Sequence, residues 1–226
     1  MIFTVSSEFY NFLEETDSQY RQQLVKLPLF DITHTATWED SQKKAFAAVF
    51  YHIRGHFVNF MWYVANFADD LRIKKIIFEN IQEELGIDNR ISHEKLYVRF
   101  AEVCGVDVQH EIAYESNYLP FARKFNQTHL QWLTEHSLQE QFATFAAYEK
   151  LDNTDYPYLT ALAQSLAIPN DALTFFKVHE RVNHFDVTTE ILKEIWIADA
   201  EKVKKSFNFI YSHQLNMWQE LSNMLC

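Results

Sequence analysis

The sequence has little of what turns a chain. Its 226 residues include three glycines, four prolines and two cysteines, whereas average usage is about 7% glycine and about 5% proline. Sandwiches and barrels need turn signals every ~8–12 residues, so strand-rich folds are excluded. Gly55, Gly86 and Gly105 lie 31 and 19 positions apart. That spacing rules out a dinucleotide fingerprint, a phosphate loop and a nucleophile elbow, each of which needs glycines close together. Cys104 and Cys226 make no disulfide framework, which suits a reducing compartment. Positive charge is scarce as well, with 20 Lys and Arg against 31 Asp and Glu and a net charge of −11. Nucleic-acid binding needs a basic face to displace phosphate counterions, and anionic membranes need the same. Neither partner is expected. The most apolar stretch, residues 45–68, is broken by His52, Arg54, His56, Asn59 and Asn66, too polar for a membrane span. The acidic opening MIFTVSSEFYNFLEETD has no basic region of the secretory kind, so the expected location is cytoplasmic.

What remains is helical and aromatic. There are 20 Phe, 11 Tyr and 5 Trp, or 16% of the chain, and apolar residues recur at the helical period in nearly every window. The spacing predicts helices over about 6–26, 38–68 and 69–85, the last stopped at Gly86 by a left-handed cap. Ser92 caps a helix to Cys104, closed by Gly105. Further helices run from Pro120 to His136, from Leu138 to Leu151 before a polar turn at Asp152–Asp155, and from Tyr158 to Ala167. A long one follows from Asn170 or Asp171 to Trp196, and Asp199 opens the last. With no repeat or linker, residues 1–226 form one all-α domain, a bundle of about eight to ten helices.

Carboxylates and histidines on apolar faces are the informative exceptions, because an unpaired buried charge is costly. Glu149 follows Phe142, Phe145 and Ala146 at spacings of 7, 4 and 3, so it shares their face as either a buried structural acid or a functional one. Glu84 borders the stripe of Ile77 and Ile81, where a solvated helix-end Glu is the alternative. His93 precedes Leu96, Tyr97 and Phe100 on an inner face, where a lone His is either a hydrogen-bonded core residue or a ligand. In the helix after Asn170, a continuous run stacks His179, Asn183 and Asp186 one turn apart beside the seam of Phe175, Val178, Val182 and Phe185. Imidazole, amide and carboxylate in a column suit a metal; a polar network bridging two helices is the other reading.

Two look-alikes fall away. HERVNH has its histidines five apart, off a common face, and the chain contains no Glu-x-x-His of the ferritin type. Three glycines also cannot make the glycine-rich distal helix of a haem pocket. Cys104, in AEVCG, reads as a small core residue.

The segments YHIRGHFVNFMWYVANFADD, LRIKKIIFENIQEELG, SHEKLYVRFAEVCGVD, AAYEKL and FFKVHERVNHFD, in this order over roughly residues 40–195, resemble the haem-oxygenase-like di-iron oxidases and oxygenases. The likeness is strongest to the branch of the chlamydial death-domain-associating protein, and TenA and PqqC proteins share the broader fold. The resemblance implies a haem-oxygenase-like bundle with metal ligands Glu84, His93, Glu149 and His179. At the two remaining ligand positions the chain departs from the family, with Asn183 for Asp and Asp186 for His. Asp186 remains an oxygen donor, whereas Asn183 suits a hydrogen-bonding role beside the ligands. His184 lies about 100° off that helical face.

The implied cofactor is Fe(II), two ions with one position weakened, or Mn(II), since carboxylates and imidazoles with open positions suit these ions. The implied activity is O2-dependent oxidation or oxygenation of a small amine- or carboxylate-bearing metabolite. Two alternatives stand beside it: a metal-free TenA- or PqqC-like enzyme binding a heterocycle, and an interaction protein with a degenerate metal site. The expected partners are a small molecule and O2. A second copy of the chain is a further candidate through the aromatic C-terminal helix (Phe207, Phe209, Tyr211, Trp218), whose rings otherwise pack in the core.

Overall fold

A computed structural model describes residues 2–88 and 90–226. It contains α1 (Ile2–Leu24), α2 (Ile32–Thr35), α3 (Asp40–Arg54), α4 (Phe57–Phe67), α5 (Leu71–Leu85), α6 (His93–Val103), α7 (Val108–Tyr114), α8 (Pro120–Glu135), α9 (Leu138–Ser165), α10 (Thr174–Arg181), α11 (Thr189–Ala198) and α12 (Ala200–Leu225). Ten of these have eight or more residues, and no strand occurs among the described residues. No helix among them is long and apolar enough to cross a membrane.

Helix ends follow local chemistry. The side chains of Asp70, Ser92, Ser137 and Asp199 accept hydrogen bonds from backbone N–H groups of the first turns of α5, α6, α9 and α12, satisfying donors that a helix leaves unpaired. Pro120 opens α8, where its missing N–H costs nothing. Gly86 ends α5 at φ +69°. An added Cβ there would meet Ser92 N at 2.4 Å and Arg90 O at 2.8 Å, so Gly86 lets the end of α5 and the start of α6 approach closely.

The central element is α9. It lies along α12 and is flanked by α10, α4, α1 and α11, and Gln141 through Glu149 are buried without interruption. A helix enclosed all round is a core helix. Its polar residues must therefore find partners inside the protein.

Three expected boundaries are corrected. The helix expected over 38–68 is two, α3 and α4. Gly55 closes α3, where an added Cβ would come within 2.8 Å of the Tyr51 carbonyl oxygen, and α4 begins anew after His56. The polar turn expected at Asp152–Asp155 is absent, and α9 runs through it and past Pro157 to Ser165. Asp152 and Asp155 belong to the buried side, paired with Arg54 at 2.5 and 3.3 Å. The single helix expected from Asn170 to Trp196 is broken: α10 stops at Arg181, Val182 is extended (φ −82°, ψ 136°), and helical backbone resumes in the short turn Asp186–Thr188 before α11. The column of His179, Asn183 and Asp186 on one helix face accordingly does not form.

Candidate metal centre and adjoining cavity

A cavity of about 260 Å³ lies between the α3–α4 junction, the end of α5, the start of α6, the middle of α9 and the end of α10; Glu84, His93, Glu149, Asp152 and His179 are on its wall. Three donors gather at one side of it. Glu84 is in the last turn of α5, His93 is the first residue of α6, and His179 is in the last turn of α10. One donor atom from each lies within 4.8 Å of the others.

Glu84 Oε1 is 2.8 Å from His93 Nδ1 and 3.9 Å from His179 Nε2. Two donors bound to one ion at ~2.1 Å and near a right angle stand about 3 Å apart, so the first separation suits a shared ion. The 2.8 Å approach is not a hydrogen bond. His93 Nδ1 is buried and has no hydrogen-bond partner, because the ring N–H direction misses the carboxylate. An unpaired buried nitrogen facing an oxyanion is costly unless a cation joins them.

His179 is already oriented for such a role. Its Nδ1 donates to the Phe175 carbonyl at 2.8 Å, which leaves the Nε2 lone pair facing Glu84. Burial, with His93 adding to it, pushes the His179 pKa down to about 4, so the ring is neutral near pH 7. The Tyr156 ring stacks on it at 4.4 Å.

Glu149 is buried in the same cavity wall and accepts a hydrogen bond from Asn80 at 3.2 Å. Burial, then the neighbouring carboxylates of Asp152 and Glu84, push its pKa well up. Asn183 and Asp186 are exposed and line no part of the cavity. Asn183 instead accepts from Asn153 at 2.7 Å. The break after Arg181 brings His184 to the cavity in their place, 3.6 Å from Glu83.

Behind the cavity lies a network that the sequence reading missed. Arg54 donates to Asp152 at 2.5 Å, to Tyr148 at 2.7 Å and to Asp155 at 3.3 Å. Asp155 also accepts from Tyr20 at 2.8 Å and Trp218 at 2.9 Å. Burial raises the Asp155 pKa to about 7, with Arg54 opposing. The available signal was register: 149, 152 and 156 continue the inward face of 142 and 145.

Residues 44–185, well over half of the chain, match the model of a family described as iron-containing redox enzymes. The chain belongs to this family. No curated protein matches it. Three solved structures are similar over nearly their full lengths. One is a domain of unknown function with a haem-oxygenase-like fold from Shewanella denitrificans, at TM-score 0.74 and 15% identity over 96% of this chain and 92% of that one. A second is a CADD-like protein of unknown function from Nostoc punctiforme, at TM-score 0.71 and 20% identity over 94% and 95%. The third is a TenA homologue from Pseudomonas syringae pv. tomato, at TM-score 0.70 and 14% identity over 95% and 92%. At these identities the likeness speaks for the fold, which is haem-oxygenase-like as the resemblance implied.

Proposed function

We propose that the chain is a non-haem, iron- and O2-dependent oxidase or oxygenase of a small molecule, with Glu84, His93 and His179 holding the iron. The observation carrying this reading is His93 Nδ1, buried without a hydrogen bond 2.8 Å from Glu84 Oε1. Two imidazoles and one carboxylate are the donor set of open-sited Fe(II) oxygenases, and Mn(II) accepts the same donors. Bound there, iron supplies electrons to O2 next to a substrate.

The chain's own residues prepare that place. Phe175 fixes the His179 tautomer through its carbonyl. Asn80 restrains Glu149 at the cavity wall. Tyr97, Tyr156 and Phe175, all buried, form an apolar wall that limits water around the donors. Because Asn183 and Asp186 lie outside, the converging donors serve one ion rather than the pair implied by the resemblance.

Anaerobic Fe(II) loading followed by metal quantitation and O2-uptake measurement tests the proposal. The expected result is one iron per chain, lost in His179→Ala, with O2 consumed by the loaded wild type. A wild type that retains no iron refutes it, and a heterocycle co-purifying with such protein would favour a metal-free enzyme.

A further inference from the structure

Helix α5 carries two apolar stripes. Ile73, Ile77 and Ile81 are buried against the bundle, the ordinary inner face of a surface helix. Leu71, Phe78 and Leu85 recur at heptad spacing and share a second face, within about 40° of one another. They are 78%, 46% and 50% exposed. Trp62 of the adjoining α4 is 40% exposed and meets the Phe78 ring edge-on at 6.4 Å, which broadens the middle of the row. Contiguous exposed apolar residues of this kind mark an interaction surface. The aromatic C-terminal helix has no comparable face, because Phe207 and Trp218 are fully buried and Phe209 and Tyr211 pack against the core.

The charges of α5 point to what covers the row. Arg72, Lys74 and Lys75 stand in its first half and Glu79, Glu83 and Glu84 in its second, with no acid in the first turn and no base in the last. That order opposes the helix dipole, which favours acids at the start and bases at the end. Within the chain, Lys75 and Glu79 approach only to 3.9 Å, in the less favourable order for a helix pair. An antiparallel copy of α5 reverses the arrangement. With a two-fold axis beside Phe78, Leu71 of each copy meets Leu85 of the other, Phe78 meets Phe78, and Lys75 stands level with Glu79 and Glu83 across the axis. A parallel copy would instead set Lys75 against Lys75. The helix is about 22 Å long at 1.5 Å per residue. With α4 alongside at ~9 Å, the paired faces approach the ~1,000 Å² of a specific interface.

We infer that two copies of the chain associate through the α4–α5 hairpin about a two-fold axis at Phe78, forming a four-helix interface. Such a contact is isologous, so each substitution in it acts twice. The inference goes beyond the proposed metal site and does not depend on it. It touches that site at one point: Leu85, at one end of the row, also lines the cavity, so the start of α5 in the second copy covers that rim.

Sedimentation equilibrium of the full chain tests this. The wild type is expected to dimerise with a Kd of about 1–10 µM, since a contact near the lower size limit is weak. Phe78→Glu, at the centre of the contact, should be monomeric at ~100 µM while keeping the wild-type helical circular dichroism. Lys75→Glu and Glu79→Lys both change exposed side chains. Each should loosen self-association about tenfold or more by setting like charges across the axis. An equal mixture of the two should associate about tenfold more tightly than either alone, because opposite charges then face each other at both ends. Should Phe78→Glu fail to fold, the charge variants decide alone. A wild type that is monomeric at ~100 µM overturns the inference. So does a dimer that the charge variants leave unchanged, or a mixture that associates no better than its components.

Discussion

Replacing Arg54 by Met tests whether the polar network behind the cavity stabilises the bundle. Arg54 is the cation facing Asp152 and Asp155, and the Asp155 side chain is fully buried. Methionine replaces the apolar stem of arginine but leaves both carboxylates without their countercharge and the Tyr148 hydroxyl without the Arg54 donor. Removing one partner of a buried ion pair costs about 3–5 kcal/mol. In a domain of this size each kcal/mol shifts the melting temperature by about 2–4 °C, so a fall of roughly 6–20 °C is expected. The loss should also depend on pH. The folded Asp155 carboxyl, raised to about 7 by burial, holds its proton over a range in which the unfolded carboxyl (~3.9) has lost it, so its contribution to stability falls as pH rises between those values. Without Arg54 to oppose burial, that penalty deepens. Urea unfolding followed by tryptophan fluorescence should therefore show a larger loss at pH 8 than at pH 5, and Arg54→Met/Asp155→Asn should recover part of it. A loss below about 1 kcal/mol, typical of an exposed pair, or one equal at the two pH values, would refute the reasoning.

Equilibrium dialysis against Co(II) should show affinity falling at least about 100-fold in His93→Ala and His179→Ala but unchanged in Asp186→Ala; a large effect of the last would restore Asp186 to the ligand set. Co(II) at 100 times its Kd should stabilise the wild type by about 2.7 kcal/mol, read as a shifted urea midpoint, and Glu84→Ala should lose that gain. Gly86→Ala forces a side chain into φ +69° and against Ser92 N, with an expected cost of about 1–3 kcal/mol in the same urea assay and weakened Co(II) binding through displacement of His93.

The fold was legible because helical period, caps and scarce turn residues agree. Gly86, Ser92 and Asp199 act at the ends where the sequence puts them. Glu84, His93 and His179 were legible as polar residues beside apolar stripes, and the structure brings them together. Asn183 and Asp186 were misplaced because periodicity assumes that the helix continues, whereas the chain becomes extended at Val182. No Pro or Gly marks that break. The Asp152–Asp155 segment was misread for the opposite reason. Its composition is that of a turn, but Arg54, almost a hundred positions away, supplies the countercharge that keeps it helical and inside. Local propensity carries no information about such a partner.

The positions of the three donors at helix ends have a kinetic consequence. Glu84, His93 and His179 each sit within a single terminal turn of α5, α6 or α10, whereas the interior of α9 is enclosed on every side. Terminal turns open locally at far lower free energy than a buried core helix does. An ion can thus enter or leave by fraying one turn, on the timescale of local opening, while the rest of the bundle stays closed. Metal exchange would then be much faster than global unfolding, and amide exchange at these three ends would slow on loading while that of α9 stayed the same.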